Sequence, residues 1–303
     1  MTARTEKTLR LLFPQWQGGN NPPYHLGARL LAWLAPQADG PIEEVPVPAP
    51  QAGDAALAQE DGIVARPALL EQQRQARRLI DKHRPDRLAV FGGDCLVDLA
   101  PFAYLNERYD GELAVLWVDS HPDIMTPAQF GNAHAMVLGN LLGQGDPQFV
   151  QHVRRPLKPQ NVLYIGLHDP SDWEAAEMRR LGLRSIDPAE LAQRGNQAVL
   201  EWLRHTGARH VAVHWDLDVI DPQQFRSVLF ARPDVPDDFF EGIARGELSL
   251  AQVVDLLAEV AAETDIVGLG IAEHLPWDAL ALQDALARLP LIGTPRMKKP
   301  PPP

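Results

Sequence analysis

Disulfide bonding is the first thing the chain excludes: its 303 residues hold one cysteine, Cys95, so no intramolecular bridge forms and nothing points to an oxidising compartment. Positive charge is also scarce. The 28 Lys and Arg residues face 40 Asp and Glu, a formal net charge of −12, with no run of five like charges. Nucleic acid and anionic membrane are therefore not expected as partners. No apolar stretch approaches eighteen residues, and the first thirty lack the basic start and continuous apolar core of a signal peptide. The expectation is a cytoplasmic protein. Low complexity is confined to the end, KKPPPP at Lys298–Pro303, read as a frayed, disordered tail.

What is present is enough for one large core, with 45% hydrophobic and 22% charged residues. Apolar runs at Leu9–Phe13, Leu88–Phe91, Leu113–Val118, Val162–Ile165, Val211–Val213 and Ile266–Ile271 read as buried strands, and Val45–Val47 as a short one. Helical spacing predicts amphipathic segments at Tyr24–Leu34, at Pro67–Lys82 with Leu69, Leu70 and Ile80 inward, and at Leu250–Val260. A Pro/Gly/Ala linker ends near Gly62, and no stretch reads as a convincing hairpin turn or an internal repeat. Strands alternating with helices predict a parallel sheet covered on both faces, a single α/β domain over residues 1–297.

The chemistry sits at strand ends. Leu113–Val118 runs into Asp119, His121 and Asp123, whose spacing of two puts all three side chains on one side if the backbone stays extended. Three other strand ends carry Asp94 and Cys95, then Asp216, Asp218 and Asp221, then Glu273 and His274. Seven of these ten residues are carboxylates, which points to a hard or borderline cation with oxygen and nitrogen ligands. Folding alone does not call for such crowding, because desolvated like charges repel unless a cation lies among them. Two cations about 3.5–4 Å apart would satisfy the acids and suit hydrolysis.

In order, GGD at 92–94, DSHPD at 119–123, GNAH at 131–134, DLDVIDP at 216–222 and Glu273 resemble the motifs of the ureohydrolase family of arginase, agmatinase and their relatives. The resemblance implies a three-layer αβα fold with a mainly parallel, roughly eight-stranded sheet. It also implies a two-manganese site. Asp119 and Asp216 would bridge the ions, Asp123 with the residue at position 95 would complete one site, and His121 with Asp218 the other. His134 would shuttle protons, Glu273 would face a guanidinium group, and Asn132 and His168 would help hold the substrate. The implied reaction is attack of metal-bound hydroxide on the carbon of a small guanidino compound, with release of urea. Relatives are commonly trimers or hexamers, so a homo-oligomer is expected by analogy.

Three departures accompany the resemblance. Cys95 stands where the family usually has histidine, and some members with cysteine there are associated with incomplete metal occupancy and guanidino substrates such as hydroxylated arginine. A thiolate is softer than imidazole, which opens the site to Zn²⁺, Fe²⁺ or Ni²⁺ beside Mn²⁺ and predicts that the position formed by Asp119, His121, Asp216 and Asp218 fills first. Met125 and Ser171 replace, respectively, an asparagine and an acid that hold arginine's α-carboxylate and amino group in arginases. After Pro222 the family's Gly/Thr-rich loop is replaced by a different segment, residues 223–250, whose Arg226 or Arg232 could meet an acidic group on a substrate but is read mainly as a surface or intersubunit contact.

Plainer roles suit other residues. Asp221 and Asp94 are read as holding their turns, Trp16, Trp117 and Trp215 as core or pocket wall, and His214, His168 and His274 as no more than pocket candidates. Two rival functions stand beside the hydrolase. One is a deacetylase-like amidohydrolase, against which the lack of any adjacent histidine pair counts; the other is a degenerate scaffold, against which retention of every acid counts.

Overall fold

The strand runs read from the sequence assemble into one sheet. In the computed structural model, which describes residues 6–51, 57–236 and 238–293, ten strands occur among the described residues. They are β1 (Thr8–Phe13), β2 (Ile42–Glu44), β3 (Gln59–Glu60), β4 (Ile63–Val64), β5 (Arg87–Gly92), β6 (Ala114–Val118), β7 (Val162–Ile165), β8 (Arg184–Ile186), β9 (His210–Asp216) and β10 (Asp265–Ala272). Eight of them form a sheet in the order β2-β1-β5-β10-β9-β6-β7-β8. Every pairing in it is parallel.

The ten helices are α1 (Pro23–Leu34), α2 (Arg66–His83), α3 (Leu99–Arg108), α4 (Val137–Leu141), α5 (Pro147–Val150), α6 (Asp172–Leu181), α7 (Pro188–Arg194), α8 (Gln197–Thr206), α9 (Leu250–Glu263) and α10 (Trp277–Ala287), again among the described residues. They cover both faces. Val115 and Trp117 of β6 pack with Leu69, Ile80 and Phe102 from α2 and α3. The intervening Ala114, Leu116 and Val118 pack with Val199, Leu203, Val253 and Leu256 from α8 and α9. The period-two alternation of side chains thus sends one apolar run into two cores, giving the expected three layers. No described helix is long and apolar enough to cross a membrane.

Two local expectations are corrected. Val45–Val47 is not a strand: the edge strand lies just before it, at Ile42–Glu44. Val45 still donates its N–H to the Leu12 carbonyl at 2.9 Å, but Pro46 and Pro48 have no N–H with which to continue the ladder. A hairpin does exist, between β3 and β4, turning through Asp61 and Gly62 with φ of 48° and 82°. Asp-Gly is a favoured pair for such a turn, and the shortness of the two strands hid it. The tail Lys298–Pro303 and the middle of the Pro/Gly/Ala linker lie outside the described residues.

The topology positions the site. From β5 the chain passes over two strand positions to reach β6, and β9 and β10 later fill the gap. The carboxyl ends of β5, β10, β9 and β6 therefore lie side by side at the point where strand order reverses, the usual ligand-binding edge of an open α/β sheet.

Candidate metal centre and active site

Each of the four central strands delivers its polar residues through a turn. After β5, Gly93 passes so close to the preceding loop that a Cβ would come within 1.7 Å of the Gln15 carbonyl, and Asp94 then accepts the N–H groups of Gly19 and Leu96 at 3.2 and 3.1 Å. That turn places Cys95 at the foot of the site, buried. After β6 the backbone does not stay extended as the sequence reading supposed. Asp119 accepts the N–H of His121 at 2.7 Å and Asp123 adopts a left-handed φ of 51°, so the three ligand-type residues converge by turning rather than by strand alternation. After β9, Asp216 accepts the N–H of Asp218 at 2.8 Å, and after β10 Glu273 takes a left-handed φ of 64°.

The result is three overlapping groups of ligand atoms, each within 4.8 Å of one another: Cys95, Asp119, Asp123 and His214; Cys95, Asp216 and Glu273; and Asp119, His121 and Asp218. Cys95 Sγ lies 3.0 Å from Asp216 Oδ2 and 3.5 Å from Glu273 Oε1, and His121 Nδ1 lies 3.1 Å from Asp218 Oδ2. Burial, then the repulsion of neighbouring carboxylates, pushes Asp123, Asp216 and the Cys95 thiol well above their ordinary ranges. Asp218 also rises through burial, against the opposing pull of His121. Burial works against a charge on His121, but Asp218 and Asp119 outweigh it and hold its pKa well above the ordinary value.

Divalent cations fit this donor set. Asp123 Oδ2, Asp218 Oδ1 and His121 Nε2 are buried atoms without a hydrogen-bond partner, and among the described residues no Arg or Lys pairs with Asp119, Asp123, Asp216 or Asp218. Native interiors seldom leave polar atoms in that condition unless something binds them.

Above the cluster opens a cavity of about 280 Å³. Its floor is Cys95, His121, Asp123, Asp216, Asp218 and Glu273; its flanks include His134 and Glu174. His134 donates from Nδ1 to the Gly18 carbonyl at 3.0 Å, which fixes the tautomer and leaves Nε2 for the cavity. Glu273 accepts the Tyr24 hydroxyl, and burial raises its carboxyl to about 7, against the pull of His134.

Two residues expected at the substrate are not in this lining. Asn132 leads into the short turn that presents His134, and His168 lies in a neighbouring cleft with Asp169, Asp221 and Glu247. The residues that sequence reading missed are Tyr24, Glu174 and the apolar wall from the segment after Pro222, namely Leu229, Phe230, Phe240 and Ile243. Arg226 and Arg232 from that segment instead face Asp278 and Asp234 at the surface. Asp221 holds its turn by accepting the Gln223 N–H at 2.8 Å.

A model of the Arginase family matches residues 35–233. The chain belongs to the arginase family. Among curated arginase-family relatives, the arginase of Eremothecium gossypii is 29% identical over 200 residues, 63% of this chain and 47% of that protein, so the chain spans about half the length of the relatives it matches. Among solved arginase-family structures, Entamoeba histolytica arginase in complex with L-ornithine superposes with a TM-score of 0.74 at 20% identity, covering 91% of this chain and 93% of that one. Bacillus caldovelox arginase gives 0.73 at 22% identity, covering 95% and 100%. At these identities the structures speak for the fold.

Proposed function

We propose that the protein is a metal-dependent hydrolase of a guanidino C–N bond, releasing urea or a urea analogue from a small guanidino compound. The observation that carries this reading is the set of buried acids at four adjacent strand ends with no Arg or Lys partner among the described residues, set beneath a cavity with Glu273 in its floor and His134 on its flank. Cys95, Asp119, His121, Asp123, Asp216 and Asp218 would hold one or two divalent ions, Mn²⁺ by family likeness. Once bound, such ions lower the pKa of water towards neutrality and balance the carboxylates.

The chain's own groups do the rest. Glu273 offers a planar carboxylate that accepts paired N–H bonds from a guanidinium fork, and Tyr24 fixes its orientation. A cationic substrate also favours the ionised form of Glu273, which burial and then neighbouring carboxylates disfavour. His134, with Nδ1 committed to Gly18, has Nε2 free to carry a proton to the departing amine nitrogen.

The wall narrows the substrate. Among the described lining residues there is no Arg, Lys, Asn, Gln, Ser or Thr, and Met125, Phe130, Leu229, Phe230, Phe240 and Ile243 make the mouth apolar. A carboxylate entering here would lose its hydration with few donors to replace it. Glu174 on the flank favours a neutral or cationic far end. The substrate is therefore an alkylguanidine of the agmatine type rather than free L-arginine.

Urea release from arginine, agmatine, guanidinobutyrate, guanidinopropionate, hydroxyarginine and guanidine, each with manganese, nickel, iron or zinc, tests the reading. Agmatine turning over faster than arginine is the expected result. No turnover of any member by metal-loaded protein would favour the scaffold alternative.

A further inference from the structure

We propose that His214 is a metal ligand, closing with Cys95, Asp119 and Asp123 a cation position that the family pattern completes with the histidine Cys95 replaces. The inference rests on reading the cluster as a metal centre, but it concerns a residue outside the motifs. His214 lies inside β9, two residues before Asp216, and is fully buried. Its Nδ1 lies 2.7 Å from Asp98 Oδ2. A carboxylate accepting there keeps the proton on Nδ1 and turns the Nε2 lone pair the other way, into the cluster. Nε2 has no hydrogen-bond partner, and the nearest carboxylate oxygen, Asp119 Oδ2, is 3.8 Å off, too far for a hydrogen bond. Its ligand atom and those of Cys95, Asp119 and Asp123 all lie within 4.8 Å of one another, near enough for the four to share one ion.

The surroundings are built for this orientation. The Trp117 ring stacks on the His214 ring at 3.9 Å and 16°, and its indole N–H donates to Asp119 Oδ2 at 3.1 Å, so one side chain sets the plane of one ligand and the rotamer of another. Room for Asp98 comes from Gly270 on β10, where a Cβ would fall 1.9 Å from Asp98 Oδ2. A carboxylate behind a histidine whose other nitrogen faces acids is the usual outer support of a metal-bound imidazole. A purely structural His–Asp pair would account for Nδ1 but would leave Nε2 buried and unsatisfied.

Thiolate, imidazole and two carboxylates make this position softer than the one formed by Asp119, His121 and Asp218. It selects Zn²⁺, Co²⁺ or Fe²⁺, while the oxygen-rich position accepts Mn²⁺. The loss of a histidine at position 95, after β5, is thus offset from β9, two positions away in the sheet.

The test is titration of the metal-stripped full chain with Co²⁺, reading bound equivalents after dialysis and the near-ultraviolet thiolate-to-cobalt absorption. Wild-type protein is expected to bind two equivalents, one with the thiolate band. In His214→Ala that equivalent and its band are lost or weakened at least about tenfold while the other remains, and Asp98→Asn, a change at a positioning residue, weakens it by roughly 10–100-fold. If His214→Ala does not fold, His214→Gln, whose amide still donates to Asp98, should show the same selective loss. Adding Cys95→His to His214→Ala should restore the second equivalent without the band. His214 variants that keep both equivalents and the band overturn this inference alone. Wild-type protein that binds no Co²⁺ overturns the metal-centre reading with it.

Discussion

The two ends of the central strands treat acidic residues in opposite ways. At the amino end, Asp265 lies 2.7 Å from the Arg87 guanidinium and 3.5 Å from His210, Asp86 pairs with Arg108, and Glu107 pairs with Arg77 at 2.7 Å. At the carboxyl end, Asp119, Asp123, Asp216 and Asp218 are more deeply buried, and the described residues oppose them only with histidines. Charge at the first edge is neutralised by the chain itself. At the second, neutrality waits on something from outside, which is what separates a structural edge from a chemical one.

The sharpest way to break this contrast is Asp119→Ala, because Asp119 belongs to two of the three ligand groups. Urea release should fall by more than the roughly 100-fold typical of changes behind a ligand, and bound metal should fall with it; retention of both would remove the distinction between the edges. Next comes Glu273→Gln, which takes away the charge facing the substrate. It should cost about 2–5 kcal/mol in kcat/KM for a guanidino substrate while metal content, measured by elemental analysis, stays near the wild-type level.

A smaller effect is expected in the pH dependence of the metal-free protein. Burial raises Glu273 from 4.5 to about 7 and Asp94 from 3.8 to about 6, so the folded chain keeps protons that the unfolded chain releases. Stability should therefore fall as pH rises through the interval between the unfolded and folded values of these two groups, and the raised Asp123 and Asp216 act in the same direction. The melting temperature of stripped protein should be lower at about pH 8 than at about pH 5, and added manganese should raise it most at the higher pH. A metal-induced rise independent of pH would contradict this. The smallest change is the control at the opposite edge: Arg87→Ala, at a partly exposed pair, should cost under about 1 kcal/mol in denaturant melts and leave urea release unaltered.

Much of this was legible in the sequence, and the gaps have physical causes. Strands buried on both faces announce themselves as continuous apolar runs, and β7 falls on the predicted Val162–Ile165. The edge strand β8, Arg-Ser-Ile, buries only its isoleucine and left no such signal. Asp119, His121 and Asp123 do meet, yet by turns and a left-handed residue that an alternation argument does not contain. His168 follows β7 in sequence, but its side chain falls into the adjoining cleft, and position along the chain does not reveal which of two clefts a loop residue enters. The sequence marks His214 as a pocket candidate but does not reveal its pairing with Asp98. Each is a polar residue set in an otherwise apolar stretch, and two such anomalies on separate elements are explained only when the fold brings them together.

The placement of β10 has a consequence for biosynthesis. It is the last strand along the described chain, yet it enters the sheet between β5 and β9 and carries Glu273. A nascent chain still lacking residues 265–273 would expose two unpaired central edges and an unfinished acidic pocket. Cofactor capture and protection from edge-to-edge association would both have to wait until those residues have been made and can insert.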